Sequence, residues 1–554
     1  MTLALAVLLS GVVALSLSPM LCSRILSVRD TTAHHGGRLY QRILGGYERI
    51  LRACLHHKLL VMLVAGGTLA GAGAVLVYMP KGFMPEANQG YLRGFTETQQ
   101  GISYAAMREH EMRLAPIIEK IPGITGQQHI IGIPLQNQGR LNVTLDTEGG
   151  LSVPLETLRT QLLAKLNQVP GIKVFLNTPP MINIGARNAR ALYQFTLLSP
   201  STDALYAAAP EFEKALAKLP ELTSVSSDLL LSNPQVDLDI DRDKAALLGV
   251  SLRSIEDALY TAYGERTVTN IRTSEDEYPV IMELLPEFQT DPRALSMLYV
   301  RSNSGELVRL DALAAVRQSL GPAQVNHTGQ LPSVTYSFNT APGVSLDVAT
   351  QVVQDLAGRT LPDNITTRFE GTAKAFQESM ASMGPLLLLA VAVIYIILGC
   401  LYESFLHPIT ILSGIPSAAL GGVLALAAFD MTLDLFGFLG IILLIGIVKK
   451  NSIMVVDFAI TQEAHGMDPE EAAIQGSLIR FRPIMMTTLA AIAGSLPIAI
   501  GYGAGGEARQ PLGVVVVGGL ILSQMVTLFL TPVFYAYMAR LQHWFGRRGQ
   551  RSAA

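Results

Sequence analysis

Seven stretches of this chain stay apolar over the length needed to cross a lipid bilayer, about 20 residues. They run approximately over 2–23, 59–79, 385–402, 409–429, 435–459, 483–502 and 513–538. Inside hydrocarbon each such segment must satisfy its own backbone hydrogen bonds, so each is predicted to be a helix. Only 15% of the 554 residues are charged and 49% are hydrophobic, too apolar for an ordinary soluble protein. The first stretch has no basic region before it and no A-x-A site after it. It therefore reads as a span and not as a cleaved leader.

Positive residues set the expected orientation. Segment 24–58 carries Arg24, Arg29, Arg38, Arg42, Arg49, Arg52 and Lys58 against Asp30 and Glu48. The tail 539–554 carries Arg540, Arg547, Arg548 and Arg551. Both belong on the cytoplasmic side. Met1 then starts outside, directly in a span, as expected for part of something longer, and residues 80–380 lie on the non-cytoplasmic side. The net charge of −3, with no basic tract away from the membrane flanks, argues against a nucleic-acid partner. Three cysteines, Cys22, Cys54 and Cys400, make a disulfide framework or a cysteine metal site unexpected.

The outer block alternates strands and helices. Strands at Leu92–Thr98, Gln127–Gly132, Leu141–Asp146 and Ile172–Asn177 enclose helices at Tyr104–Ile121 and Leu155–Val169. That order, β-α-β-β-α-β, is the ferredoxin-like unit. A second unit follows over 189–233 and 331–381, split by an insert at 234–330. Four helices are expected to stop at an apolar residue before proline: Pro122, Pro170, Pro220 and Pro362. In the insert, Asp237, Asp239 and Asp241 alternate as the wet face of an exposed strand. The glycine and terminal glutamate of a calcium-binding EF-hand loop are missing.

Other motifs reduce to structure. Gly501-Tyr-Gly503-Ala-Gly-Gly506 fits G-x-G-x-x-G but follows a span, which makes it a turn. His110-Glu111 lacks a zincin's second histidine. His34-His35 and His56-His57 read as exposed pairs, and the glycines at 66, 67, 71 and 73 as a close-packing face. The charges at membrane depth are sharper. Lys449 and Lys450 lie within LFGFLGIILLIGIVKKNSIMVVDF, and a charge there costs at least about 2.5–3.5 kcal/mol. Consecutive residues point about 100° apart, so at most one faces a given partner. Asp457 is about 10 Å further along the helix, too far for a direct pair. No other acid lies at depth in any of the seven stretches.

Several segments together resemble the C-terminal half of a resistance–nodulation–division multidrug efflux transporter. They are Leu17–Cys22, Pro80-Lys-Gly-Phe-Met-Pro85, Ala392–Phe405, Gly446–Asn451, Arg480–Thr487, Arg509–Gly513 and Thr531–Phe534. KKN and FRPIMMTT look like the bile-salt and multidrug exporters that often form mixed-subunit pumps.

The resemblance implies a trimeric inner-membrane drug:proton antiporter and not an enzyme, with no cofactor beyond the proton gradient. Its outer units would form a porter region and the insert a docking region. A membrane-fusion adaptor and an outer-membrane channel would be its partners, and amphipathic small molecules its cargo. It implies a proton relay of Lys450, Arg480 and Thr487. Lys449, independently of the resemblance, is expected to snorkel to the cytoplasmic interface. Tyr193, Phe195 and Leu197 match a strand lining the family's entry pocket, although ordinary sheet core accounts for them equally. Ile130, Gly132, Pro134, Gln136 and Gly139 match its flexible loop, here without phenylalanines. The family has twelve spans with relay aspartates in the fourth, which this chain does not contain, so alone it is not expected to pump. The competing expectation is a non-transporting scaffold that acts only with an N-terminal half.

Overall fold

The computed structural model describes residues 2–25, 37–84, 89–146, 155–180, 184, 190–503 and 505–552. His34 and His35 lie outside them. The chain divides into two units: residues 1–87, 345–347 and 376–554 form one, and 88–344 and 348–375 the other.

The first unit begins with helices α1 (Thr2–Ile25), α2 (Arg38–His56) and α3 (Lys58–Tyr78). Helix α2 is amphipathic. It buries Tyr47, Leu51 and Leu55, and Arg52 holds both Glu48 and Glu471. Of the α3 glycines only Gly71 meets another side chain, Leu420, while Gly66, Gly67 and Gly73 face open space. Among the described residues the face expected there is thus used at Gly71 alone. Close packing falls instead on glycines of later helices, as described below.

The second unit holds two sheets. Strands β1 (Tyr91–Thr98), β2 (Ile124–Ile131), β3 (Gln138–Leu145) and β4 (Ile172–Asn177) pair antiparallel in the order β2-β3-β1-β4. Helices α4 (Tyr104–Met112) and α5 (Leu155–Leu166) belong to this sheet. Inward residues of alternating strands, Leu92, Leu141, Val143 and Val174, meet Leu158, Leu162 and Leu166 of α5. Helix α4 is shorter than its expected extent to Ile121, and a separate turn follows at Ala115–Ile118. Pro116 explains the break: it has no N–H to donate and its ring clashes with the preceding turn.

The second sheet uses β5 (Tyr193–Leu198), helix α6 (Thr202–Leu216) and β6 (Leu222–Ser227). The insert then supplies β7 (Asn233–Ile240), β8 (Arg266–Arg272), β9 (Glu277–Met282), β10 (Tyr299–Arg301), β11 (Leu307–Arg309) and β12 (Ala314–Gly321) as three two-stranded pairs. Asp237 and Asp239 stand exposed on β7 and bond Ser319 and Arg317, while Asp241 caps the helix that follows. Then come β13 (His327–Thr328), β14 (Leu331–Thr340), helix α7 (Leu346–Thr360) and β15 (Thr366–Glu370). Here β5 lies between β14 and β15, and β6 pairs with the other side of β14. Each sheet thus sets its first and third long strands side by side in the middle.

The chain returns to the first unit through α8 (Gly371–Tyr402), followed by α9 (Leu406–Leu412), α10 (Ile415–Ala428), α11 (Leu435–Ala464), α12 (Pro469–Ala499) and α13 (Gln510–Ser552). Among the described residues six helical segments are long and apolar enough to cross a membrane, against seven expected. In α1 the apolar stretch found is the shorter Leu8–Arg24. Helices α10 and α13 approach closely at glycine. A Cβ on Gly518 would stand 2.2 Å from the Ala425 methyl, and one on Gly421 would stand 2.6 Å from Leu522 Cβ. Small residues let backbones come this near, and van der Waals packing then drives association within lipid.

Asp434 caps α11 with its carboxylate, which accepts the Gly437 N–H at 2.7 Å, and the side chain is 2% exposed. Burial pushes its carboxyl from 3.8 up to about 6, opposed by backbone hydrogen bonds. A raised carboxyl pKa means that the folded state favours the proton. Stability is fullest below the ordinary value and falls as pH rises through the window to about 6. The melting temperature in detergent is therefore expected to rise as pH drops from about 7 to about 5. Asp434→Asn, which keeps the cap, should remove much of that slope. An unchanged slope in the variant would refute the assignment.

Candidate functional site

Two places concentrate polar chemistry, one in each unit. In the helical unit the centre is a hydrogen-bonded triangle. Asn451 Nδ2 donates to Thr488 Oγ1 at 3.0 Å and to Gln524 Oε1 at 3.1 Å. Thr488 Oγ1 donates to the same Gln524 oxygen at 2.8 Å. Gln524 Nε2 reaches Met485 Sδ at 3.3 Å, and Ser452 and Thr531 share a hydrogen bond at 3.2 Å. These bonds tie α11, α12 and α13 together. In an apolar environment each unpaired amide would be costly, so the triangle fixes the rotation of all three helices.

The expected relay residues stand one step from this triangle. Lys450 precedes Asn451 and is exposed, on an outward stripe of α11 with Leu439, Leu443, Gly446 and Asp457. Lys449 is half-buried. Neither lysine has an ion pair among the described residues. Thr487 precedes Thr488, is half-buried and donates to the Ile484 carbonyl at 3.1 Å. Lys450 and Thr487 therefore sit at one level of neighbouring helices. Arg480 is seven residues away from Thr487, about 10 Å along α12. Its guanidinium lies 5.8 Å from the Phe458 ring centroid, a cation–π arrangement, and its buried Nε has no partner among the described residues.

In the other unit a cavity of about 620 Å³ is bordered by Glu97, Lys173, Phe175, Arg190, Glu213 and Val225. A second, of about 480 Å³, takes in Phe95, Pro134, Gln138, Asp228 and Ser337 and shares Arg190. Both draw on residues of the two sheets. Arg190 joins these sheets: it donates to Glu97 Oε1 at 2.8 Å and to the Ser227 carbonyl. Burial pushes the Glu97 carboxyl above the usual range, although Arg190 and Lys173 pull the other way. Glu213 is raised for the same first reason. Sequence reading missed Arg190, a lone arginine outside any motif.

The aromatic strand is placed differently from the expected pocket. Phe195 is 1% exposed and Leu197 is fully buried, both within the core formed with α6 and α7. Tyr193 packs against that core. Their alternation does put them on one face, but two helices cover that face. The expected loop Ile130–Gly139 also contracts. Ile130 and Gly139 are strand residues, with Ile130 opposite Arg140 and Gly139 opposite Ile131. The connection is only residues 132–137. Gly132 has φ +81° and its N–H bonds the Gln138 carbonyl at 2.8 Å. Gln136 is exposed, and Pro134 borders the second cavity. Gly139 is required by close approach: a Cβ would stand 2.6 Å from Thr96 Oγ1. No group of three or more His, Cys, Asp or Glu placed to hold a metal occurs among the described residues.

Residues 1–539 match the sequence profile of the AcrB/AcrD/AcrF family. The chain belongs to that family. It is therefore a membrane protein of the resistance–nodulation–division type. Among solved structures it resembles a heavy metal efflux pump in two crystal forms. In crystal form II the identity is 22% and the TM-score 0.80, over 90% of this chain and 52% of the pump. In crystal form I the values are 23% and 0.81, over 91% and 52%. At this identity the likeness establishes the fold alone. The chain spans about half the length of the pump that it matches.

Proposed function

We propose that this chain supplies the cationic side of the proton relay in an inner-membrane efflux transporter. Lys450 carries the reading. It is a lysine in an apolar helix, turned outward on a stripe with no counter-charge within pairing distance among the described residues. Lipid would penalise that face, so a carboxylate-bearing helix of the assembled transporter covers it. Protonation of that carboxylate releases Lys450, and its deprotonation draws the lysine back. Thr487 and Arg480 line the same route. This is local electrostatics biasing a two-state helix arrangement.

The assembly is a trimer of like or mixed subunits, with a periplasmic adaptor and an outer-membrane channel. The sheets and insert lie in the periplasm. Cargo passes the cavities around Arg190, where aromatic and aliphatic side chains mix with paired charges. That chemistry suits an amphipathic organic molecule better than a naked ion. Tyr193 and the 132–137 connection act beside it. The test is tolerance of cells lacking other efflux pumps, in which the chain is produced with the acidic half and its adaptor. Tolerance to bile salts and detergents should rise, and a protonophore should abolish the gain. A gain restricted to heavy-metal salts would replace the amphipathic cargo with a metal.

A further inference from the structure

We propose that Gln524 is the positioning residue of the relay: it sets the rotation of α11 and α12, and with it the angles at which Lys450 and Thr487 are held. The inference rests on the relay reading and adds a residue that does not itself exchange protons. Gln524 is 9% exposed and Thr488 4%. Its single carbonyl oxygen accepts from Asn451 at 3.1 Å and from Thr488 at 2.8 Å. Those two donors also bond each other at 3.0 Å. The triangle closes only when Asn451 and Thr488 both point inward toward α13.

Helix geometry then fixes their neighbours. Stepping back one residue turns a side chain by about 100°. Consecutive helices α11 and α12, joined only through residues 465–468, run antiparallel. Equal backward steps on antiparallel helices turn in opposite senses when viewed from one end. Lys450 and Thr487 are therefore turned off the triangle as mirror images, each at an angle that the closed triangle fixes. The exposure of Lys450 and partial exposure of Thr487 agree with this. If the triangle is lost, either helix can rotate, and the lysine no longer meets its carboxylate at a fixed distance. The charged groups of α11 and α12 around the site are Lys449, Lys450, Asp457, Arg480 and Arg482. Helix α13 carries none between Arg509 and Arg540.

The experiment uses the assembled transporter in everted vesicles and follows proton-driven export against pH. Gln524→Met keeps an unbranched side chain of similar length but removes the shared acceptor. Export is expected to fall about tenfold, and the pH midpoint to move by about half a unit or more, at unchanged protein level. Gln524→Glu, which keeps the acceptor oxygen, should retain the larger part of the activity. If Gln524→Met does not reach the membrane, Thr488→Val removes two edges of the triangle at constant shape, leaving only the Asn451–Gln524 bond, and must move the midpoint in its place. An unmoved pH profile in these variants, with Lys450→Ala inactive, overturns the positioning role and leaves the relay standing. Normal export in Lys450→Ala overturns the relay, and the role of Gln524 with it.

Discussion

Lys450→Ala is expected to reduce proton-driven export to background while the protein still reaches the membrane. The lysine stands outside the packed face of α11, so its removal opens no cavity within this unit. Its loss leaves the partner carboxylate buried and unpaired, a change of about 3–5 kcal/mol when one member of a buried pair is deleted. That shifts a two-state equilibrium by at least about a hundredfold, enough to lock it on one side. Lys449→Ala, at a half-buried position about 100° away, should retain most export. Vesicles driven by an imposed pH gradient decide the matter. Full export by Lys450→Ala would remove the central claim.

Phe195→Ala is expected to act through stability. Phe195 lies 4.9 Å from the Phe369 ring centroid and 5.9 Å from that of Phe212. Phe212 in turn meets Tyr336 edge-on at 5.3 Å, and Tyr336 donates to the Ala209 carbonyl at 2.7 Å. Truncating a fully buried phenylalanine in such a cluster costs about 3–5 kcal/mol. The folded yield in detergent should drop sharply, and Phe195→Leu should recover most of it. A folded Phe195→Ala protein with normal yield and an altered cargo range would mean that the residue lines the route and not the core.

Both expectations show where sequence was legible. Alternation along Tyr193–Leu198 correctly set Tyr193, Phe195 and Leu197 on one face. It could not say which face two helices would cover. The apolar length of α11 and the depth of Lys450 were equally plain. The outward turn of Lys450 follows from Asn451, Thr488 and Gln524, residues 73 and 36 positions apart from Gln524 in the chain. No local pattern announces such a contact. Arg190 gave no signal for the same reason, since its partners Glu97 and Ser227 are distant in sequence.

By itself the sequence determined the helical character of the apolar stretches, the strand and helix order of the outer block, and the cation at membrane depth. Each of these follows from local physics: the length of hydrocarbon to cross, the period of side chains, and the cost of a charge away from water. Only the tertiary structure decided which way those side chains turn. It buried the aromatic strand, shortened the loop to 132–137, brought Arg190 between the sheets and aimed Lys450 outward. Those outcomes depend on packing and hydrogen bonds between residues far apart in the chain, which no window of neighbouring residues contains.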